Sequence, residues 1–345
     1  MTVTEPEGRP TGLKPVIDII PSSCYRRSTA RGLFLIGRDL GVYGLALCGL
    51  ASTDNPLLLV PLWLLAGLAV AGLFVLGHDA AHGALFDSSR LNEATARLTM
   101  LPSWHATEQW KFGHNRVHHG HTLRQGMDFV WHPITRAEWD GMGCLARLRH
   151  RLEWGPLGSG SYYLRDVWFN KMVTFRPPER WAQAMRRDQA LVVAFIALAL
   201  AASLALSSGI GAGVWTFVKL FVVPFLLFVQ TIGWVVYVHH IDPDIRWWTR
   251  RDWNRYRGQV EGTTILWGPP GWELFFHWIM VHIPHHVDMR IPCYHLPEAA
   301  RAIQRAHPAD VVERRISVRA YLRATRECKI HDFETGVWSR YPTRT

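Results

Sequence analysis

Four stretches of this chain stay apolar for long enough to cross a bilayer, which takes about 20 helical residues. They are residues 33–52, 57–76, 190–208 and 214–238. The first carries Arg38 and Asp39, which either pair or sit near the interface. The second and third carry no charge. The fourth carries Lys219 near its start, where a lysine can snorkel toward water. The links within each pair are short, so the pattern predicts two helical hairpins. The segments 77–189 and 239–345 are mixed in polarity. Three aromatic-rich stretches within them, 93–112, 154–175 and 264–281, fall short of clean spans. Each either lies in the interface plane and helps to wall a substrate slot, or packs under the cap. Gly268, Pro269, Pro270 and Gly271 break the last of them. Residues 296–306 place a proline in a first turn and good helix formers after it, which predicts a cap helix.

Basic residues give the hairpins a direction. Five Lys and Arg precede residue 32, fifteen lie in 77–189 and sixteen lie from 239 onward, while the short hairpin links carry none. Lys and Arg accumulate on the cytoplasmic side of membrane proteins, so the N-terminal arm (1–31), the middle segment and the tail are expected there. The remainder, 32–345, reads as one domain. Residues 1–21 lack the apolar core of a signal peptide and read as a flexible arm, and the last residues carry no retention or prenylation signal.

Composition agrees with this layout. Hydrophobic residues make up 48% and charged residues 19%, below the usual quarter, and the 17 tryptophans suit bilayer interfaces. A net charge of +10 suits nucleic acid, anionic headgroups or an acidic partner protein, but a soluble nucleic-acid binder has no use for four spans. The five cysteines show no CxxC spacing, which argues against a disulfide framework or a structural zinc site. The expected fold is therefore an all-α integral membrane protein. It has four transmembrane helices, interfacial helices and a cytosolic helical cap.

The histidines carry the chemistry. His78 and His82 stand in HDAAH directly after the second span, and His114, His118 and His119 stand in HNRVHH. His239 and His240 close the fourth span, and His282, His285 and His286 stand in HIPHH. Helical positions i, i+3 and i+4 share a face, so each box can aim two or three rings the same way. No span intervenes between the first two boxes, and the second hairpin returns the chain to the same side. All four groups thus face one compartment at one depth. Neutral imidazole binds iron, zinc and copper. A catalytic zinc typically takes three protein ligands, so nine imidazoles suit two metals. The absence of thiolates argues against Cu(I) and iron–sulfur clusters, and leaves redox-active iron or a zinc pair.

The order HxxxH, HxxxHH, HxxHH around two hydrophobic hairpins resembles the membrane fatty acid desaturase family, nearest its oleate (Δ12-type) acyl-lipid branch. WKFGHNRVHHGHT, YVHHIDP, HIPHHVDMRIPCYHLPEAARAI and YLRATRECKIHDFETGVW each resemble a segment of that family, so that the likeness runs through nearly the whole chain from Gly32. The resemblance implies a di-iron enzyme that uses O2 and two electrons to place a double bond in a long fatty acyl chain. It implies His78, His82, His114, His118, His119, His240, His282, His285 and His286 as metal ligands. His239 stands where the family has glutamine, which implies a supporting role. His295 replaces the usual asparagine, Asp242 replaces a histidine, and the second box is one residue longer than the plant form, leaving open which of its rings serves which metal. Asp79, Asn115, Asp128, Asp242 and Asp288 are candidates to orient the rings, or are solvated carboxylates and amides. His105, His132, His150, His277, His307 and His331 read as structural.

The chain holds no HPGG heme motif and no GxGxxG fingerprint, so electrons are expected from a separate protein such as a ferredoxin or cytochrome b5. Other expected partners are membrane lipids and a fatty acyl substrate on lipid, CoA or carrier protein. Hydroxylation or triple-bond formation on the same scaffold stays open. A zinc transporter would place ionisable groups at mid-bilayer, whereas spans two and three hold none. The preference for arginine over lysine suits a GC-rich bacterium and hence a bacterial inner membrane.

Overall fold

The computed structural model describes residues 10–343. Its long helices are α1 (Thr29–Ala51), α2 (Pro56–Ala81), α6 (Glu179–Ala205) and the pair α7 (Ile210–Phe217) and α8 (Val223–His240), joined by π-helical turns at Val218–Val222. These four bodies are long and apolar enough to cross a membrane. Around them lie α3 (Ser89–Met100), α4 (Thr107–Lys111), α5 (Ser159–Tyr162), α9 (Arg255–Gln259), α10 (Glu273–Phe276), α11 (Ile283–Val287) and α12 (Leu296–Ala306). The last matches the expected cap helix.

Local chemistry fixes the starts. The Ser28 hydroxyl accepts the Arg31 N–H at the head of α1, and the Asn55 side chain accepts the Leu57 N–H ahead of Pro56 in α2. The spans are longer than hydropathy indicates, because only their lipid-facing parts are uniformly apolar. α2 runs on to Ala81, so His78 lies inside the span helix and His82 caps it, rather than both following it. α6 begins eleven residues early, on a polar turn that carries Asp188 to Arg97 and to the Glu108 N–H.

α2 is the central post. It packs against α1, α3 and α8 and is buried continuously from Ala69 to Ala81. Gly67 permits the close approach to α8, since a Cβ there would sit 2.6 Å from Leu227 Cβ.

Two small sheets interrupt the helical cap. β1 (Thr264–Trp267) pairs in parallel with β2 (Val312–Arg315), and β3 (Ile330–Asp332) pairs antiparallel with β4 (Val337–Ser339). The stretch 264–281 therefore begins as a strand. The described part of the expected N-terminal arm is packed, not free: Val16, Ile20 and Cys24 are buried in the core. Residues 1–9 of that arm lie outside the described residues.

Candidate metal centre

The C-terminal ends of α2 and α8 meet α4 and α11, and nine of the imidazoles converge there. They form two groups of four, each with ligand atoms within 4.8 Å of one another: His78, His82, His114 and His285, and His118, His240, His282 and His286. His119 lies between them. Its Nε2 is 3.2 Å from that of His114, and its ring stacks on His286 at 4.5 Å.

The boxes do not map one to one onto the groups. Only HDAAH sends both rings to the same group. HIPHH sends His285 to the first and His282 and His286 to the second. The second box winds as π-helical turns at Phe112–His118, so the i/i+3/i+4 rule does not hold there. The wider winding absorbs its extra residue and brings His114 and His119 together while turning His118 to the other group.

Ring orientation is set from outside. Asp128 Oδ1 accepts Nδ1–H of His118 at 2.8 Å, and the carbonyls of Gly262 and Ile279 accept those of His240 at 3.0 Å and His282 at 3.1 Å. Gln259 donates its amide to the His119 carbonyl, which turns its oxygen toward Nδ1 of His286 at 2.6 Å. Carbonyl and carboxylate oxygens only accept, so all four Nδ1 atoms carry the proton and all four Nε2 lone pairs point inward.

The donor set fits bound cations. Nε2 of His286 lies 3.0 Å from Nε2 of His282, and Nε2 of His78 lies 3.2 Å from Nε2 of His114. For the first pair these are two lone pairs face to face, an arrangement that a cation relieves. Nε2 of His82, Nε2 of His240 and both nitrogens of His285 are buried without a hydrogen-bond partner. Burial, then the neighbouring imidazoles, holds the rings of His82, His114, His119, His282, His285 and His286 well below the ordinary histidine pKa. Neutral rings are what a metal requires. Burial opposes ionisation of Asp128, yet His118 and the Val130 N–H hold its carboxyl below the usual range.

Of the other candidates, Asp79 faces His78 Nδ1 at 3.3 Å and accepts the Cys293 N–H. Asn115 donates to the Ala81 carbonyl, Asp242 meets Arg314 and Asp288 meets Arg290 and Tyr25, so these three do not reach a ring. His239 stacks flat on His282 at 3.7 Å. His295 faces Glu298, outside both groups. His105 binds Tyr163, His150 Tyr341, His307 Tyr256 and His277 Asp39, as structural histidines do. Gln259 and the two ring-facing carbonyls were not legible in the sequence, because no spacing marks them.

A small cavity opens beside the rings. His78, His114, His118 and His240 form one edge, and Phe74, Trp110, Val167, Ile232 and Ile279 form apolar walls. Each of the three aromatic-rich stretches supplies part of it: Trp110 from the first, Tyr163 and Val167 from the second, Ile279 from the third.

The family model described as "Fatty acid desaturase" matches residues 55–317. The chain is 27% identical over 326 residues to an sn-1 oleoyl-lipid 12-desaturase of Synechocystis sp., covering 94% of this chain and 90% of that one. It is 30% identical over 294 residues to a chloroplastic omega-6 fatty acid desaturase of Brassica napus, covering 85% and 64%. It is 25% identical over 299 residues to an sn-1 acyl-lipid omega-3 desaturase (ferredoxin) of Nostoc sp., covering 83% and 78%.

Proposed function

From the premise that this chain belongs to the fatty acid desaturase family, and is thus a membrane oxidoreductase, we propose that it inserts a double bond into a long fatty acyl chain carried on a membrane lipid, with two irons, O2 and two electrons from a separate donor. The carrying observation is the pair of four-imidazole groups opening on an apolar cavity.

Iron held by His78, His82, His114 and His285, and by His118, His240, His282 and His286, with His119 between, would supply the O2-reducing chemistry. Two hydrogens leave adjacent CH2 carbons, two electrons and two protons arrive from outside, and O2 ends as two waters. The chain's own part is placement and exclusion. Asp128, Gln259 and the Gly262 and Ile279 carbonyls fix four rings. Phe74, Trp110, Val167 and Ile232 give a methylene chain a dry seat beside them.

Acyl-lipid substrates appear in the relatives' names, and one name includes ferredoxin, which supports a lipid-borne substrate and a ferredoxin-like donor. The distribution of Lys and Arg supports boxes and termini on the cytoplasmic face, of a bacterial inner membrane given the arginine bias.

Expression in a host of known fatty acid profile, with gas chromatography of its lipids, tests the reading. A new unsaturated product is expected, and His286→Ala should abolish it while leaving membrane insertion intact. No new product under any donor, or purified protein without transition metal, would overturn it.

A further inference from the structure

Asp39 is a carboxylate inside a spanning helix, and such groups are rare and generally functional. It is only 4% exposed. Its Oδ1 meets the Arg38 guanidinium at 2.7 Å and its Oδ2 meets Nε2 of His277 at 2.6 Å. Arg38 also donates to the Leu274 carbonyl. α2 leaves a notch for this meeting: a Cβ on Gly72 would lie 2.8 Å from Asp39 Oδ2 and 3.2 Å from the Phe275 carbonyl.

His277 is the residue that ends α10, and its backbone is left-handed at φ 45°. Trp278 follows at φ 66°. L-residues other than glycine avoid this region, and two in succession are held only where surroundings fix them. The next residue is Ile279, whose amide bonds the Phe276 carbonyl at 2.8 Å and whose own carbonyl accepts Nδ1–H of His282. The chain of contacts thus runs from a carboxylate in α1, through a strained turn, to a ring of the second group.

We propose that Asp39 is a positioning residue for the metal centre: by gripping His277 it keeps the 277–279 turn left-handed, and that turn sets the His282 ring. The inference rests on the metal reading above and deepens it.

The test compares the unaltered protein, reconstituted in nanodiscs, with Asp39→Ala, His277→Leu, His277→Gln and the double variant His277→Leu/Trp278→Gly. Metal per chain, release rate to a chelator and melting temperature are measured for each. Asp39→Ala and His277→Leu are expected to release part of their metal at least about 10-fold faster, the range seen when groups supporting a metal ligand are lost. His277→Gln, which keeps an N–H for Asp39, should hold metal almost as the parent does. Trp278→Gly, which removes the backbone penalty, should restore part of the retention lost in His277→Leu. Unchanged release from Asp39→Ala and His277→Leu would overturn the inference while leaving the metal centre standing. So would release that merely follows melting temperature, with His277→Gln no better than His277→Leu. If Asp39→Ala and His277→Leu fail to fold, faster release from His277→Gln than from His277→Leu/Trp278→Gly overturns it as well. An unaltered protein without metal would sink the metal reading and this inference together.

Discussion

His118 turns its Nδ1 to Asp128, and His286 turns its own to Gln259. Each of these ties freezes a ring that otherwise rotates, and each raises the basicity of the nitrogen left facing inward. Asp128→Ala should therefore weaken metal retention by roughly 10- to 100-fold with the helices intact, read by chelator competition. Gln259→Leu should do the same at the second group, since it also abandons the His119 carbonyl. At this scale the gathering of the rings was legible, because histidines standing in boxes beside the span ends are placed to converge. The support was only half legible. Asp128 sits ten residues from His118 and could be named, but a backbone carbonyl such as that of Ile279 leaves no mark on the sequence.

Helices and turns carry the next layer. α5 lies against α8 with almost nothing between: a Cβ on Gly233 would come 2.5 Å from the Ser159 carbonyl, and one on Gly160 would come 2.7 Å from Gln230 Cα. Both obstacles are backbone, so they cannot swing away. Gly233→Leu should cost at least about 1–3 kcal/mol, the usual penalty of overpacking, and lower the melting temperature. It should also slow turnover, because the displaced segment carries Tyr163 and Val167 of the cavity wall. Filling the cavity directly with Val167→Phe should reduce kcat/KM by at least about 10-fold, a loss of about 1.4 kcal/mol in transition-state stabilisation, with metal content unchanged. The spans were legible from hydropathy, but their polar ends beside the histidines and α4 were not. Those turns bury polar groups such as His78 and Asp188 against protein, which a hydropathy window scores as loop. The π-helical second box was hidden too, since its register depends on the partners that His114 and His118 find across the fold. Likewise β1 became a strand by pairing with β2, a partner far along the chain.

For the molecule as a whole, the cap must stay folded over the membrane ends. Two buried histidines in it answer to acid. Burial pushes His150 and His331 from the ordinary 6.5 down to about 4. The unfolded cap takes up these protons near pH 6.5, and the folded cap only near 4. Stability is thus full above about 6.5 and declines as pH falls toward 4, by up to about 3 kcal/mol for each ring. Melting temperature followed from pH 7 to 4.5 should drop, and His331→Gln should flatten the curve. The large arrangement was legible as two hairpins and a cap. The burial of Val16, Ile20 and Cys24 was not, because a short sparse segment shows no periodicity of its own.

The rings of each metal group come from chain segments far apart, and the last three to be synthesised are His282, His285 and His286. A growing polypeptide that has emerged only as far as residue 281 offers three imidazoles to one group and two to the other. Both hairpins are by then complete, while neither group yet has its four rings. Under the di-iron proposal, iron starvation should let inserted but inert chains accumulate, to be revived without new translation once the ion returns.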